Sequence, residues 1–149
     1  MRIGPRFNSS CANIISLDGI TISWMTETRY SGIYMVSARV FKCSLRYAKL
    51  AFRRAANAIF GKVGHMSSEE VLLQLVKSKC LPILLYSLEV CPLTKNDLES
   101  FDFVISNFFM KRFSTNNIDT VKSCQLQFSF DFPSTVIEKR AIKFKDSLK

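Results

Sequence analysis

"TETRYSGIYM", residues 26–35, decides how this chain is read. A cation and an aromatic, Arg29 and Tyr30, precede a Ser31-Gly32 pair, after which Ile33, Tyr34, Met35 and Val36 resume an extended apolar pattern. A glycine inside a β-run marks a bulge, or a place where another backbone comes close. The pattern predicts a strand over 28–36 that carries such an interruption. It leaves open whose backbone approaches.

Upstream, "NIISLDGITISW" (13–24) contains two short alternating runs joined by Asp18-Gly19, a pair that tolerates the positive φ of a tight hairpin turn. Residues 1–38 therefore read as β. Downstream the period changes. From about Ser44, Leu45, Ala48, Phe52, Ala55 and Ile59 follow helical spacing as far as the breakers Gly61 and Gly64. Ser67 with Glu70 is a capping-box pattern for a second helix, which Pro82 should kink or end, with helix resuming over 84–90. Thr94 with Asp97 opens a third helix bearing Leu98, Phe101, Ile105 and Phe108. Weaker helices follow the break at 114–117, the last starting near Pro133. The expected class is α+β: a short antiparallel β-ribbon (1–38), a helical region (39–114) and a C-terminal helical extension (115–149).

The chain has 149 residues, 48% of them hydrophobic and thirteen of them Phe, enough for a buried core rather than a disordered tail. Its net charge of +9, from 21 Lys and Arg against 12 Asp and Glu, favours an anionic partner such as nucleic acid or an acidic membrane. Five scattered Cys without a Cys-x-x-Cys pair, and one histidine, His65, give neither a disulfide framework nor a zinc site. The amino terminus lacks a signal-peptide core, and the apolar run from Cys80 is shorter than the roughly 20 residues that span a bilayer. The expected location is intracellular, in nucleus or cytoplasm.

The charge is concentrated before Gly61. At about 100° per residue, Lys42, Arg46, Lys49 and Arg53 share an arc of roughly 60°, about 115° from the apolar stripe. Solvated helix faces usually mix signs, because like charges one turn apart oppose the helix. An unanswered cationic stripe fits phosphate contact better than plain solvation. Lys62 extends the basic stretch past the stripe. Membrane attachment through the same helix is weaker, since its apolar face is needed for the core. Gly61-Lys62-Val63-Gly64 lacks the earlier glycine and the following Ser or Thr of a phosphate loop. Glu69-Glu70 suits a helix first turn rather than paired-carboxylate catalysis. No catalytic set is assembled.

The order of these pieces resembles a known family. "RYSGIYM" (29–35) looks like the Tyr-Leu-Gly-Ile/Val signature that follows the catalytic palm in reverse transcriptases of non-LTR (LINE-type) retrotransposons. After it come a basic helix, "IFGKVG" (59–64), "KCLPILLYSLEVCPL" (79–93) and the Phe-rich "FDFVISNFFMKRF" (101–113), similar to that family's thumb. "RIGPRFN" (2–8) is similar to the stretch beyond its fourth palm motif. The resemblance implies a primer-grip ribbon in which Gly32 lets the main chain approach the growing strand's 3′ end, Arg29 adds charge and Tyr30 a flat face for ribose or base. Ser31 departs from the family, where leucine is usual. The family's Mg²⁺-binding palm aspartates have no counterpart here and would lie upstream of Met1, supplied in cis by a longer product, by another chain, or not at all. No cofactor is therefore expected in this chain, and its partners would be RNA and DNA as a primer–template duplex. The other reading is a decayed or domesticated basic helical module that binds nucleic acid or a protein and has no polymerase role.

Overall fold

The computed structural model describes residues 1–63 and 66–147, and among these the protein is α+β. It divides into two compact units, Met1–Leu45 and Arg46–Lys149. The expected boundary at residue 38 thus moves to Leu45, because Lys42 and Cys43 add a further strand to the first unit.

The first unit holds two antiparallel sheets. Strands β1 (Ile14–Ile15) and β2 (Thr21–Ile22) pair Ile14 with Ile22 and Ile15 with Thr21. Gly19 turns between them at φ +76°, where glycine carries no Cβ penalty, and its N–H donates to the Ser16 carbonyl at 2.9 Å. The Asp18-Gly19 hairpin forms as expected. The second sheet corrects the sequence reading. Residues 28–36 are not one bulged strand but two, β3 (Glu27–Tyr30) and β4 (Ile33–Val36), in register from Glu27↔Val36 to Tyr30↔Ile33. Ser31 and Gly32 form the two-residue turn at φ +47° and +85°, the sign that a type I′ hairpin requires at both positions. Strand β5 (Lys42–Cys43) adds to β4 through Met35↔Cys43 and Val36↔Lys42. The amino-terminal segment is tied down where Gly4 N–H donates to the Ala38 carbonyl at 3.0 Å and Ser37 Oγ–H to that of Arg2 at 2.7 Å.

The second unit is helical. Helix α1 (Arg46–Val63) starts two residues later than expected and runs through Gly61, which the sequence had marked as a breaker. Glycine in a helix interior costs about 1 kcal/mol relative to alanine but ends a helix only by turning left-handed. Gly64 and His65, which carried other readings, lie outside the described residues. Helix α2 (Glu69–Leu75) is capped by Ser68, whose Oγ accepts from Val71 N–H at 3.5 Å, one residue beyond the expected Ser67 and Glu70 pattern. It passes through a π-helical segment (Val76–Cys80) into α3 (Leu81–Leu84). The widened turn lies just before Pro82, where the missing N–H and the ring's clash with the preceding turn must be absorbed. Proline therefore bulges the helix rather than ending it. The helix stops at Leu84, not near Val90: Ser87 turns left-handed at φ +54°, and Leu88–Val90 make one 3₁₀ turn.

Helix α4 (Lys95–Arg112) has the expected Thr94–Asp97 box, with Asp97 N–H donating to Thr94 Oγ1 at 3.3 Å and Thr94 N–H to Asp97 Oδ2 at 3.0 Å. After a left-handed Ser114 come α5 (Ile118–Gln127), capped by Asn117, and α6 (Pro133–Ser147). Helix α1 packs on α2, the π segment and α3, while α5 and α6 pack on α4. Residues 115–147 are therefore part of this unit rather than a separate extension. A run of phenylalanine rings joins the two sets. Phe52 meets Phe108 edge-on at 6.3 Å, and Phe109 contacts Phe108 (5.9 Å), Phe113 (5.9 Å) and Phe130 (5.2 Å). Phe52, Phe101, Phe109, Leu72, Val76, Leu84 and Ile105 are buried around them.

Candidate nucleic-acid interfaces

Two surfaces, one in each unit, hold the residues that the sequence singled out, except Lys42. In the β unit, Arg29, Tyr30, Ser31 and Gly32 come together at the tip of the β3–β4 hairpin. Tyr30 is 71% exposed, so it is not a core residue. Arg29 pairs across the ribbon with Tyr34, and its guanidinium lies 5.8 Å from the centre of that ring. This contact levels the cation against an aromatic face and limits its rotamers. The positive φ at Gly32 follows from the turn itself, so the glycine needs no approaching backbone to account for it.

In the helical unit the cationic stripe is shorter than its spacing implied. Lys42 is exposed but belongs to β5, so it is not on the helix at all. Arg46 and Arg53 are exposed on α1, seven residues and about 20° apart on one face. Lys49 turns inward. Its ammonium sits 5.1 Å from the centre of the Phe101 ring and donates to Ser100 Oγ. Burial lowers its pKa below the ordinary lysine range; Asp97 opposes that shift and Arg53 reinforces it. The reason is the true position of the packed face. Ala56 is buried and Phe60 half-buried, which moves the centre of that face roughly 40° toward the cations and brings Lys49 to its edge. Lys62 is exposed in the last turn, where a cation complements the helix dipole.

Other cations near α1 went unread. Arg54 is exposed beside Arg53. Lys111, from α4, donates to Asn57 Oδ1 at 3.4 Å, one turn beyond Arg53 on the same face. Nothing local in the sequence places residue 111 beside residue 57, since that pairing is tertiary. Arg112 is a different case: its guanidinium reaches Glu69 at 3.3 Å, lies 5.3 Å from the Phe60 ring centre, and its side chain is only 14% exposed. It serves the fold. Among the described residues, Arg46, Arg53, Arg54 and Lys62 have no carboxylate within ion-pairing distance.

Among the described residues no three His, Cys, Asp or Glu side chains gather closely enough to hold a metal ion, and no helix is long and apolar enough to cross a membrane. Comparison of the chain with protein-family models, with curated proteins and with solved structures gives no match.

Proposed function

We propose that the chain binds a nucleic-acid duplex as the palm end and thumb of a non-LTR reverse transcriptase, without catalytic aspartates of its own. The observation that carries the binding is the pair Arg46 and Arg53, exposed on one face of α1 with no carboxylate to answer them. Seven residues of helix rise about 10.5 Å, a separation that lets the two side chains reach different phosphates of a backbone. Arg54, Lys62 and Lys111 widen the positive surface. What supports the polymerase part of the reading is the order of elements: a ribbon tipped by Arg29, Tyr30, Ser31 and Gly32, then a basic helix, then a Phe-rich bundle. The β1–β2 hairpin exposes Ile14, Ile15, Ile20 and Ile22, and under this reading the rest of a palm would cover it.

The second reading, a generic basic module, has its own support: the turn accounts for Gly32 without a primer, and Lys49 is half-buried against Phe101 and Ser100. Substrate preference separates the two. A grip and thumb are expected to bind a recessed primer–template more tightly than single strands of equal length, and to show no metal-dependent primer extension. Equal affinity for both would leave the basic-module reading standing. Extension by the purified chain would contradict the absence of catalytic residues.

A further inference from the structure

We propose that the cleft between α5 and α6 is an adenine-binding site, with Gln125 as the group that reads the base. The cleft measures about 520 Å³ and is lined by Lys122, Gln125, Leu126, Phe130, Asp131 and Phe132, among others. That volume falls within the roughly 300–1,000 Å³ of small-molecule sites.

Gln125 is the anomaly. It stands one turn after the buried Val121 on α5, is only 3% exposed, and neither Oε1 nor Nε2 has a hydrogen-bond partner among the described residues. Burying a polar group without a partner is costly, and a leucine would fill the position without that penalty. An amide presents one donor and one acceptor side by side. The ligand that satisfies both must offer an acceptor next to a donor, and on the N7 edge of a purine adenine does so with N7 and N6–H₂, whereas guanine presents two acceptors, N7 and O6. The walls suit a flat ring. Phe130 is held in place by its edge-on contact with Phe109 at 5.2 Å, and Phe132 flanks the opening. At the rim Lys122 is exposed, positioned for a phosphate, while the Asp131 carboxylate is answered by Lys139 at 3.4 Å. Both amide atoms are closed to water, so binding turns the Gln125 side chain outward into the cleft. Two forms present the same adenine edge, a free nucleotide and an unpaired adenosine in a strand. The site uses no residue of α1 and does not rest on the primer–template reading.

The test is ¹⁵N NMR of the full chain titrated with AMP, with GMP, and with short oligonucleotides containing one adenosine or one guanosine. The expected result is a saturable shift of the Gln125 side-chain NH₂ signals, with adenine preferred over guanine by roughly tenfold. Saturation by AMP identifies a nucleotide site; saturation by the adenosine-containing oligonucleotide alone identifies a strand-borne base. Gln125→Leu should abolish the binding while its unfolding midpoint stays level or rises. Loss of α1 function in an Arg46→Gln/Arg53→Gln double variant should leave AMP binding intact. Equal binding of AMP and GMP, or no saturable shift with any adenine probe, overturns the proposal without the help of any variant. A Gln125→Leu chain that still binds AMP overturns it as well, whether or not its stability has changed, by showing that the amide does not read the base.

Discussion

The β unit and the helical unit are built from similar proportions of apolar residues but dispose of them differently. In Met1–Leu45 only Cys43 is buried, while Ile15, Leu17, Ile20 and Met25 stand more than half exposed. In the helical unit Leu72, Val76, Leu84, Phe101, Ile105 and Phe109 lose essentially all their accessible surface. Two short sheets held by cross-strand hydrogen bonds and turn chemistry have little hydrophobic stabilisation of their own, because isolated hairpins are marginal in water. The difference teaches that order in the first unit is set by its turns, and in the second by its core.

The largest expected effect comes from separating the two. Residues 46–147 expressed alone should retain helical circular dichroism and a cooperative urea transition, whereas residues 1–45 alone should show no sigmoidal unfolding. A cooperative transition in the shorter piece would break the comparison. Within the helical unit, Phe109→Ala removes the ring that meets Phe108, Phe113 and Phe130, and should cost about 3–5 kcal/mol by urea denaturation. The same size of loss at an exposed apolar residue of the β unit, such as Ile20→Ala, would mean that its surface is covered after all.

Smaller effects sharpen the turn argument. Gly32→Ala places a Cβ at φ +85° and should destabilise the β3–β4 hairpin by about 1–2 kcal/mol, seen as loss of hydrogen-exchange protection across Glu27–Val36. Ser31→Asn should gain a few tenths, since asparagine visits the left-handed region more readily. The smallest expected change is at Lys49. Its folded pKa lies below the unfolded one, so in the window between them the unfolded chain holds more protons and this group's contribution to stability grows with pH. Below both values the buried charge is a standing penalty, which solvent screening keeps small. Lys49→Met should therefore be more stable than wild type near neutral pH by about 0.5 kcal/mol or less, with the advantage shrinking as pH approaches the ordinary lysine range. An advantage that grows with pH would reverse the sign assigned to this residue.

What was legible in the sequence was local chemistry. Asp18-Gly19, Thr94 with Asp97, and Pro133 at the start of α6 each fix a boundary through their own side chains or φ, and each forms where it was expected. What was not legible depends on packing at a distance. Pro82 leaves the choice between ending a helix and widening it to the burial of Leu81 and Leu84, which reward continuing. Gly61 marks a breaker only if nothing holds the helix beyond it. Ser31-Gly32 looks like an interruption of one strand because alternation continues on both sides, and a two-residue hairpin has the same alternation. On α1, periodicity placed Arg46, Lys49 and Arg53 correctly relative to one another but wrongly included Lys42, which lies on β5, and the fate of Lys49 turned on Phe101 and Ser100, more than fifty residues away. Spacing gives the face of a helix; only the partner helix decides how wide the buried part of it is.

The central claim is that exposed, unanswered cations on α1 contact phosphate. It is tested most directly by salt titration of duplex binding by the wild type, by Lys49→Gln and by the Arg46→Gln/Arg53→Gln double variant. Each phosphate contact contributes about 0.9 to the slope of log affinity against log salt. The double variant should lose roughly two from that slope and bind all sequences more weakly. Lys49→Gln should leave the slope almost unchanged, because that ammonium is spent on Phe101 and Ser100. A double variant with the wild-type slope would contradict the account, leaving Arg46 and Arg53 as an ordinary solvated face.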